Sequence, residues 1–229
     1  MAERRSLVRI AARGVAFAAL APICLFVGLL VLYAFAPPLS TLMLARLVLG
    51  ESYERSYAPL QAIAPVAIAS VIASEDATFC DNDGVDWDAL HEVMSQAGRN
   101  GPRRGASTIT MQTAKNLFLW PGRSVIRKGL EIGMALVLGK VWSKSHTVEV
   151  YLNIAEWGDG IFGIEAAAQR YFHKGASQLD AREAALLASS LPNPIKRDAA
   201  HPTAFQRRLA ASVVLKARDR IGSLDCLSR

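Results

Sequence analysis

Residues 105–131 read GASTITMQTAKNLFLWPGRSVIRKGLE, and the rest of the chain is organised around them. The first half fits one helix over 107–119, with Ser107 as its N-cap, because a serine hydroxyl accepts a hydrogen bond from a free N–H of the first turn. Pro121 and Gly122 stop that helix, since proline lacks the donor and glycine tolerates the turn. A second helix is expected over 124–138. Gln112 and Lys115 are three residues apart, as are Lys128 and Glu131, so each pair shares a helix face. Lys115, Arg123 and Lys128 gathered with the carboxylate of Glu131 about a tight turn suit a polyanion held beside an acid. A phosphate ester is the ligand this pattern implies.

The chain has 229 residues, room for one fair-sized domain with an appendage. Its 52% hydrophobic content exceeds the usual share of a soluble domain, and the cause is local. No charge lies between Gly14 and Ala45, and residues 15–36 form an apolar run of 22, where a bilayer-crossing helix needs about 20. Arg4, Arg5, Arg9 and Arg13 precede this run with only Glu3 opposing, which keeps the N-terminus cytoplasmic and exports the chain beyond Ala36. A cleaved signal peptide is the rival, and Ala34-Phe35-Ala36 looks like a cleavage site. The run is longer than the roughly 7–15 residues of a signal core, which favours a retained transmembrane helix. The expected organisation is a basic cytoplasmic N-terminus at 1–14, a membrane span at 15–36, a membrane-proximal connector at 37–64 and a folded domain at 65–229. A second apolar piece, 39–50, is broken by Arg46 and too short to span. It lies on the membrane surface or opens the folded domain, and both readings stand.

Of the three cysteines, Cys24 falls in the apolar run, leaving Cys80 and Cys226 on the exported side. They could pair in an oxidising compartment, but two cysteines make no framework, and free thiols are the default. Residues 1–13 carry +3 of the net charge of +6, so the exported part is only mildly basic, suiting an anionic membrane surface or a phosphorylated ligand. Zinc-type Cys/His spacing, a P-loop, GxGxxG and nucleic-acid-binding motifs are all absent, and a membrane anchor argues against nucleic acid as a partner.

Segment 51–61 reads as a connector or edge segment. The folded domain is expected to begin near Pro65 with VAIASVIASE at 66–75, a short apolar helix ending in a carboxylic acid. Helical periodicity continues at 86–98, and NGPRR at 100–104 is a basic loop. Further helices are expected at 141–153, 164–172, 180–191 with Asp180 as cap, and 203–221 with Gly222 as stop. AEWGDGIFG between two of them reads as a loop. Strand alternation is nowhere clear, so the fold class is mainly α.

Glu75 sits where the apolar helix meets an open loop. Partial burial and the neighbouring Asp76 both disfavour its charged form and raise its pKa, as suits a general base or acid near neutrality. A solvated helix end is the plainer reading of Glu75-Asp76 from these residues alone. Acidic residues at a helix C-terminus oppose the helix dipole, however, and so ask for another reason.

EDATF…G at 75–84, GASTITMQTAKNLFL at 105–119, RKGLE at 127–131 and VEVYLN at 148–153 resemble, in order and spacing, the motifs of the peptidoglycan glycosyltransferases, glycosyltransferase family 51. The likeness continues through AEWGDGIFGIEAAAQRYF and EAALLASSLPNP and covers roughly residues 65–200; with one anchor and no transpeptidase domain, the monofunctional members are the nearest in design. The resemblance implies a mainly α, lysozyme-like domain against the membrane that polymerises lipid II at the outer face of the inner membrane. Glu75 would take the proton from the 4-hydroxyl of the acceptor N-acetylglucosamine, and Glu131 would help the leaving group on the donor side, through a divalent cation (Mg or Mn) if one binds. No organic cofactor is implied. Lys115, Arg123 and Lys128 would hold the diphosphate, and Gln112, Asn116 and Thr108 would bond sugar or phosphate. Asp76 and Phe79 would complete the substrate site, Phe79 as wall. Each of these polar residues also has an ordinary reading as a solvated helix charge or a cap. Lipid II, the growing glycan, inner-membrane lipid and wall-synthesis or division proteins are the implied partners.

Three positions depart from the family pattern: Asn82 replaces His, Ala106 replaces Gly, and Met111 replaces Gln. Met111 is expected to remove an amide from the groove and Asn82 an imidazole able to carry a proton, while the Asn82 amide can still orient Glu75 or a sugar. An active enzyme is expected, with its rate left open. Two other functions compete: a lysozyme-like enzyme that cleaves glycan, and a non-enzymatic membrane-anchored scaffold of the wall machinery. The cationic cluster argues against cleavage, which has no diphosphate to stabilise.

Overall fold

A computed structural model describes residues 2–95, 106–122 and 124–228, with the side chains of 2–12, 15, 16 and 19 left aside. The chain divides into two compact units, residues 1–37 and 38–229. The first is a helix, α1 (Ala2–Leu32), with Pro22 inside it and with Phe17, Leu20, Ile23, Leu25, Val27, Val31 and Leu32 exposed. Among the described residues no helix is long and apolar enough to cross a membrane.

The second unit begins at Pro38, well before Pro65, so the expected connector is part of the folded domain. Ser40 caps α2 (Thr41–Leu49), its hydroxyl accepting from Met43 N, and Gly50 ends the helix in the left-handed conformation. The 39–50 piece therefore opens the domain as a helix. Residues 51–64 contribute strand β1 (Glu54–Arg55) and a short 3₁₀ turn. Next come α3 (Pro65–Glu75), started by a proline at its first position, and α4 (Trp87–Ser95). The end of the helix expected at 86–98 and the 100–104 loop lie outside the described residues.

The central unit forms α5 (Ile109–Phe118) and α6 (Val125–Val141). Thr108, not Ser107, caps α5, its hydroxyl accepting from Met111 N, so the helix starts one residue later than expected. Ser124 caps α6, which runs three residues beyond the expected end. Then come α7 (Lys144–Ile154), strands β2 (Glu156–Gly158) and β3 (Ile161–Phe162), α8 (Ile164–Phe172), α9 (Ala181–Ser190) with Asp180 as cap, and α10 (Ala204–Arg220) with Thr203 as cap. The small sheet has the order β1-β3-β2, with β1 parallel and β2 antiparallel to β3. Two- and three-residue strands are too short to show alternation in a sequence, which is why AEWGDGIFG reads there as a plain loop.

Two helical layers make the core. The largely apolar α3 packs against α9 and α10, and α5 packs against α6 and α7. Tyr151, Trp157, Phe79 and Ile72 are among the large side chains fully enclosed between these layers. The stretch after α3 is tied down twice. Gly84, at φ +103°, runs so close to α6 that a Cβ there would lie 2.5 Å from the Ala135 carbonyl oxygen. Cys80 forms a disulfide with Cys226, 146 residues away, so the free-thiol default fails and the C-terminal turn is joined to the loop after Glu75. Closing so long a loop restricts the unfolded chain, and its removal is expected to cost about 2–4 kcal/mol. Thermal unfolding of Cys226→Ser, or of the wild type under reductant, checks this by a lowered Tm.

Candidate active site

Glu75 is the last residue of α3, partly buried above the apolar helix that delivers it. Its carboxylate accepts from Gln112 Nε2 at 3.2 Å and from the Ser74 hydroxyl at 3.3 Å. Burial pushes its pKa up, against the opposing pull of the Gln112 and Ser74 bonds and the charges of Lys115 and Arg197. Glu75 also lines a cavity of about 280 Å³ whose wall includes Ser74, Asp86, Ala106, Ser107 and Lys216.

Asp76 does different work. It is 5% exposed, accepts from the Ile109 N–H at 2.9 Å at the start of α5, and accepts from Asn82 Nδ2 at 3.0 Å. Asn82 also donates to the Thr78 carbonyl and accepts from Gly84 N–H, and the Lys144 ammonium donates to its carbonyl oxygen at 2.6 Å. The amide at 82 therefore orders the loop and orients Asp76, in place of the expected partnership with Glu75. Lys144, which also stands 4.5 Å over the Phe79 ring, is a site-building residue that sequence reasoning missed. Its only signal was a place just ahead of VEVYLN.

On α5, Gln112 and Lys115 succeed one another along the face that meets Glu75. Burial draws the Lys115 ammonium below its ordinary pKa, with Glu131 opposing, Arg127 and Lys128 adding to the fall, and Glu75 opposing again. Lys115 thus feels both acids, and α5 is the bridge between them. On α6, Glu131 is 2% exposed and accepts from Arg127 Nη1 at 2.9 Å and Lys128 Nζ at 2.7 Å. Lys128 reaches back to the Ser107 hydroxyl at 2.6 Å. Arg127, 8% exposed, is a residue that sequence reasoning missed; its Nε is buried with no hydrogen-bond partner. With Lys115, Asn116 and Trp120 it lines a second cavity of about 300 Å³. Two cations, Lys115 and Arg127, around one hollow suit an anionic ligand.

Three expectations change. Phe79 is fully enclosed and is core, with no face for substrate. Thr108 spends its hydroxyl on the Gly84 carbonyl at 2.6 Å and on capping α5, so it is structural. Met111 is buried in the core, so position 111 takes no amide from the groove. Arg123 lies outside the described residues. Among the described residues no group of three acidic, histidine or cysteine side chains could hold a metal. Glu131 has both oxygens engaged by cations, a donor set that does not fit a metal ion held by the protein alone.

An acid at the end of an apolar helix, with a cationic hollow reached along α5, suits the transfer of a group from an anionic donor. The Transglycosylase family profile matches residues 42–218. A biosynthetic peptidoglycan transglycosylase of Agrobacterium fabrum is 52% identical over 193 residues, covering 84% of this chain and 85% of its own. The protein of that name from Brucella suis is 52% identical over 83% of this chain and 86% of its own, and that from Rhizobium johnstonii 46% over 98% and 91%. The chain belongs to the transglycosylase family.

Because Glu131 is the enclosed counter-ion of two cations, Glu131→Ala is expected to destabilise the domain by about 3–5 kcal/mol, the cost of stranding a buried charge. Thermal or denaturant unfolding measures this, and a variant as stable as wild type would refute the counter-ion role.

Proposed function

We propose that this chain is a peptidoglycan glycosyltransferase of cell wall biosynthesis that polymerises lipid II into β-1,4 glycan. The observation that carries the reading is the pairing of Glu75, held by Gln112 on α5, with the Lys115, Arg127 and Lys128 cluster reached along the same helix. Ionised Glu75 takes the proton from the acceptor 4-hydroxyl. That oxygen attacks the anomeric carbon of the donor from the face opposite the leaving group, the bond from carbon to the diphosphate oxygen breaks, and undecaprenyl pyrophosphate departs. Inversion is the result. The cations stabilise the charge growing on the diphosphate, and fixed positions spare the reorganisation that water would need. Glu131 acts by holding Arg127 and Lys128 in place. Asn116 lines the hollow beside Lys115 and Arg127.

A lipid-linked donor fits the apolar surface of the cationic helix. Val125, Ile126, Leu130, Val137 and Val141 of α6 are all exposed, with Trp120 just before it. Leu44, Leu47, Val48 and Leu49 of α2 are exposed as well, a surface suited to lying on a bilayer. The envelope is the place for such an enzyme. Residues 15–36 are assigned to a single membrane span with the N-terminus cytoplasmic on the arginines before them and the exposed apolar side chains of α1, although among the described residues no helix is long and apolar enough to cross a membrane. Alkaline phosphatase fused after Arg229 is then expected to be active in cells, and fused after Arg13 inactive; the reverse pattern would refute this orientation.

Polymerisation of lipid II by the full chain in detergent tests the activity. Glu75→Gln is expected to lose roughly 10²–10⁴-fold in turnover with lipid II binding retained, and Lys128→Ala to weaken donor binding by about 1.5–3 kcal/mol. Activity should fall as pH drops through the raised pKa of Glu75, because the base must be ionised. Its contribution to stability has the opposite sign: a carboxyl raised by burial stabilises the fold at low pH and loses that contribution as pH rises through its folded value. Near-normal turnover by Glu75→Gln would overturn the assignment, and release of short glycan from polymeric peptidoglycan with lipid II untouched would favour cleavage.

A further inference from the structure

We propose that Tyr151 is a positioning residue for the proton acceptor: its phenol sets which end of the Gln112 amide faces Glu75. The proposal rests on the reading of Glu75 as the base. Tyr151 lies on α7 inside the core, 1% exposed. Its hydroxyl donates to Gln112 Oε1 at 3.0 Å, and Gln112 Nε2 donates to Glu75 Oε2 at 3.2 Å. Gln112 is therefore held from two sides, by a neutral donor at one end and a carboxylate at the other.

The chemistry of the three groups makes this arrangement selective. An ionised carboxylate can only accept, so it needs the NH₂ end of the amide. A protonated carboxyl can donate, and it fits the reversed amide, whose carbonyl would then face Glu75. The two orientations of Gln112 thus match the two protonation states of the acid. Reversal would take Oε1 away from Tyr151 and leave the proton of a buried phenol without that acceptor, which is costly in the interior. Burial keeps the phenol itself protonated, so it remains a donor across the working range of pH. Tyr151 in this way favours the amide orientation that stabilises ionised Glu75, without touching substrate.

Other charges around Glu75 do not supply this selectivity. Lys115 on α5 and Arg197 after α9 favour the anion, Asp76 lies next in the chain, and Asp86, Glu92 and Lys216 stand on the cavity wall. All of them remain when the residue at 151 changes, so their effects cancel in the comparison of Tyr with Phe.

The test is the pH dependence of kcat/KM for lipid II polymerisation by the full chain. Tyr151→Phe keeps the ring and removes the donor. Its acid limb is expected to move up by roughly one pH unit, the size of one hydrogen bond to a charged group, so that rates below the wild-type limb fall about tenfold. Gln112→Ala should move the limb the same way, and adding Tyr151→Phe to Gln112→Ala should move it no further. An unmoved limb in Tyr151→Phe, or a second shift in the double variant, overturns the proposal while leaving Glu75 as the base. If Tyr151→Phe does not fold, an unmoved limb in Gln112→Ala overturns it alone. A wild-type chain inert towards lipid II at every pH overturns the base reading and this proposal together.

Discussion

Everything in the domain turns on the cost of placing an ionisable carboxyl at the end of an apolar helix. Seven of the eleven residues of α3 are buried, so Glu75 is carried on a rod that has no purpose except packing until its last residue. The low-polarity surroundings raise the pKa of the acid, and a few donors pull it back: Gln112, Ser74 and more distant cations. A base working near neutrality needs that balance. It is set by where α5 stands, because Gln112 and Lys115 both come from α5.

The position of α5 is fixed in turn by the residue after Glu75. Asp76 accepts the first N–H of α5, and Asn82, Thr78 and Lys144 hold Asp76 and its loop. The acid that matters chemically and the acid that matters structurally are thus adjacent in the chain and face different ways. The disulfide at Cys80 and the close approach of Gly84 to Ala135 fasten the same loop to the C-terminal turn and to α6. A short run of sequence carries the proposed base and also registers three helices against it.

The cationic side obeys a different rule. Lys115, Arg127 and Lys128 repel one another, and the arrangement stands because Glu131 is buried between the last two. Arg127 Nε is left buried beside them with no hydrogen-bond partner. These cations stand on two neighbouring helices, α5 and α6, and the outer face of α6 is apolar.

The mainly helical class, the places of α3 and α8 and the cap at Asp180 were legible in the sequence. They depend on periodicity, capping chemistry and charge, which act within a few residues of one another. Burial direction was not legible. Phe79, Thr108 and Met111 look like site residues on paper and turn inward, while Arg127, Lys144 and Tyr151 look like ordinary residues and build the site. Spacing along the chain tells which residues share a helix face, but only packing tells whether that face meets solvent, core or another helix. The sequence by itself determined the helices and the kinds of chemical group available. Tertiary structure alone decided that Cys80 meets Cys226, that residues 38–64 belong to the domain, and which way each amide and carboxyl points, because those outcomes rest on contacts between segments far apart in the chain.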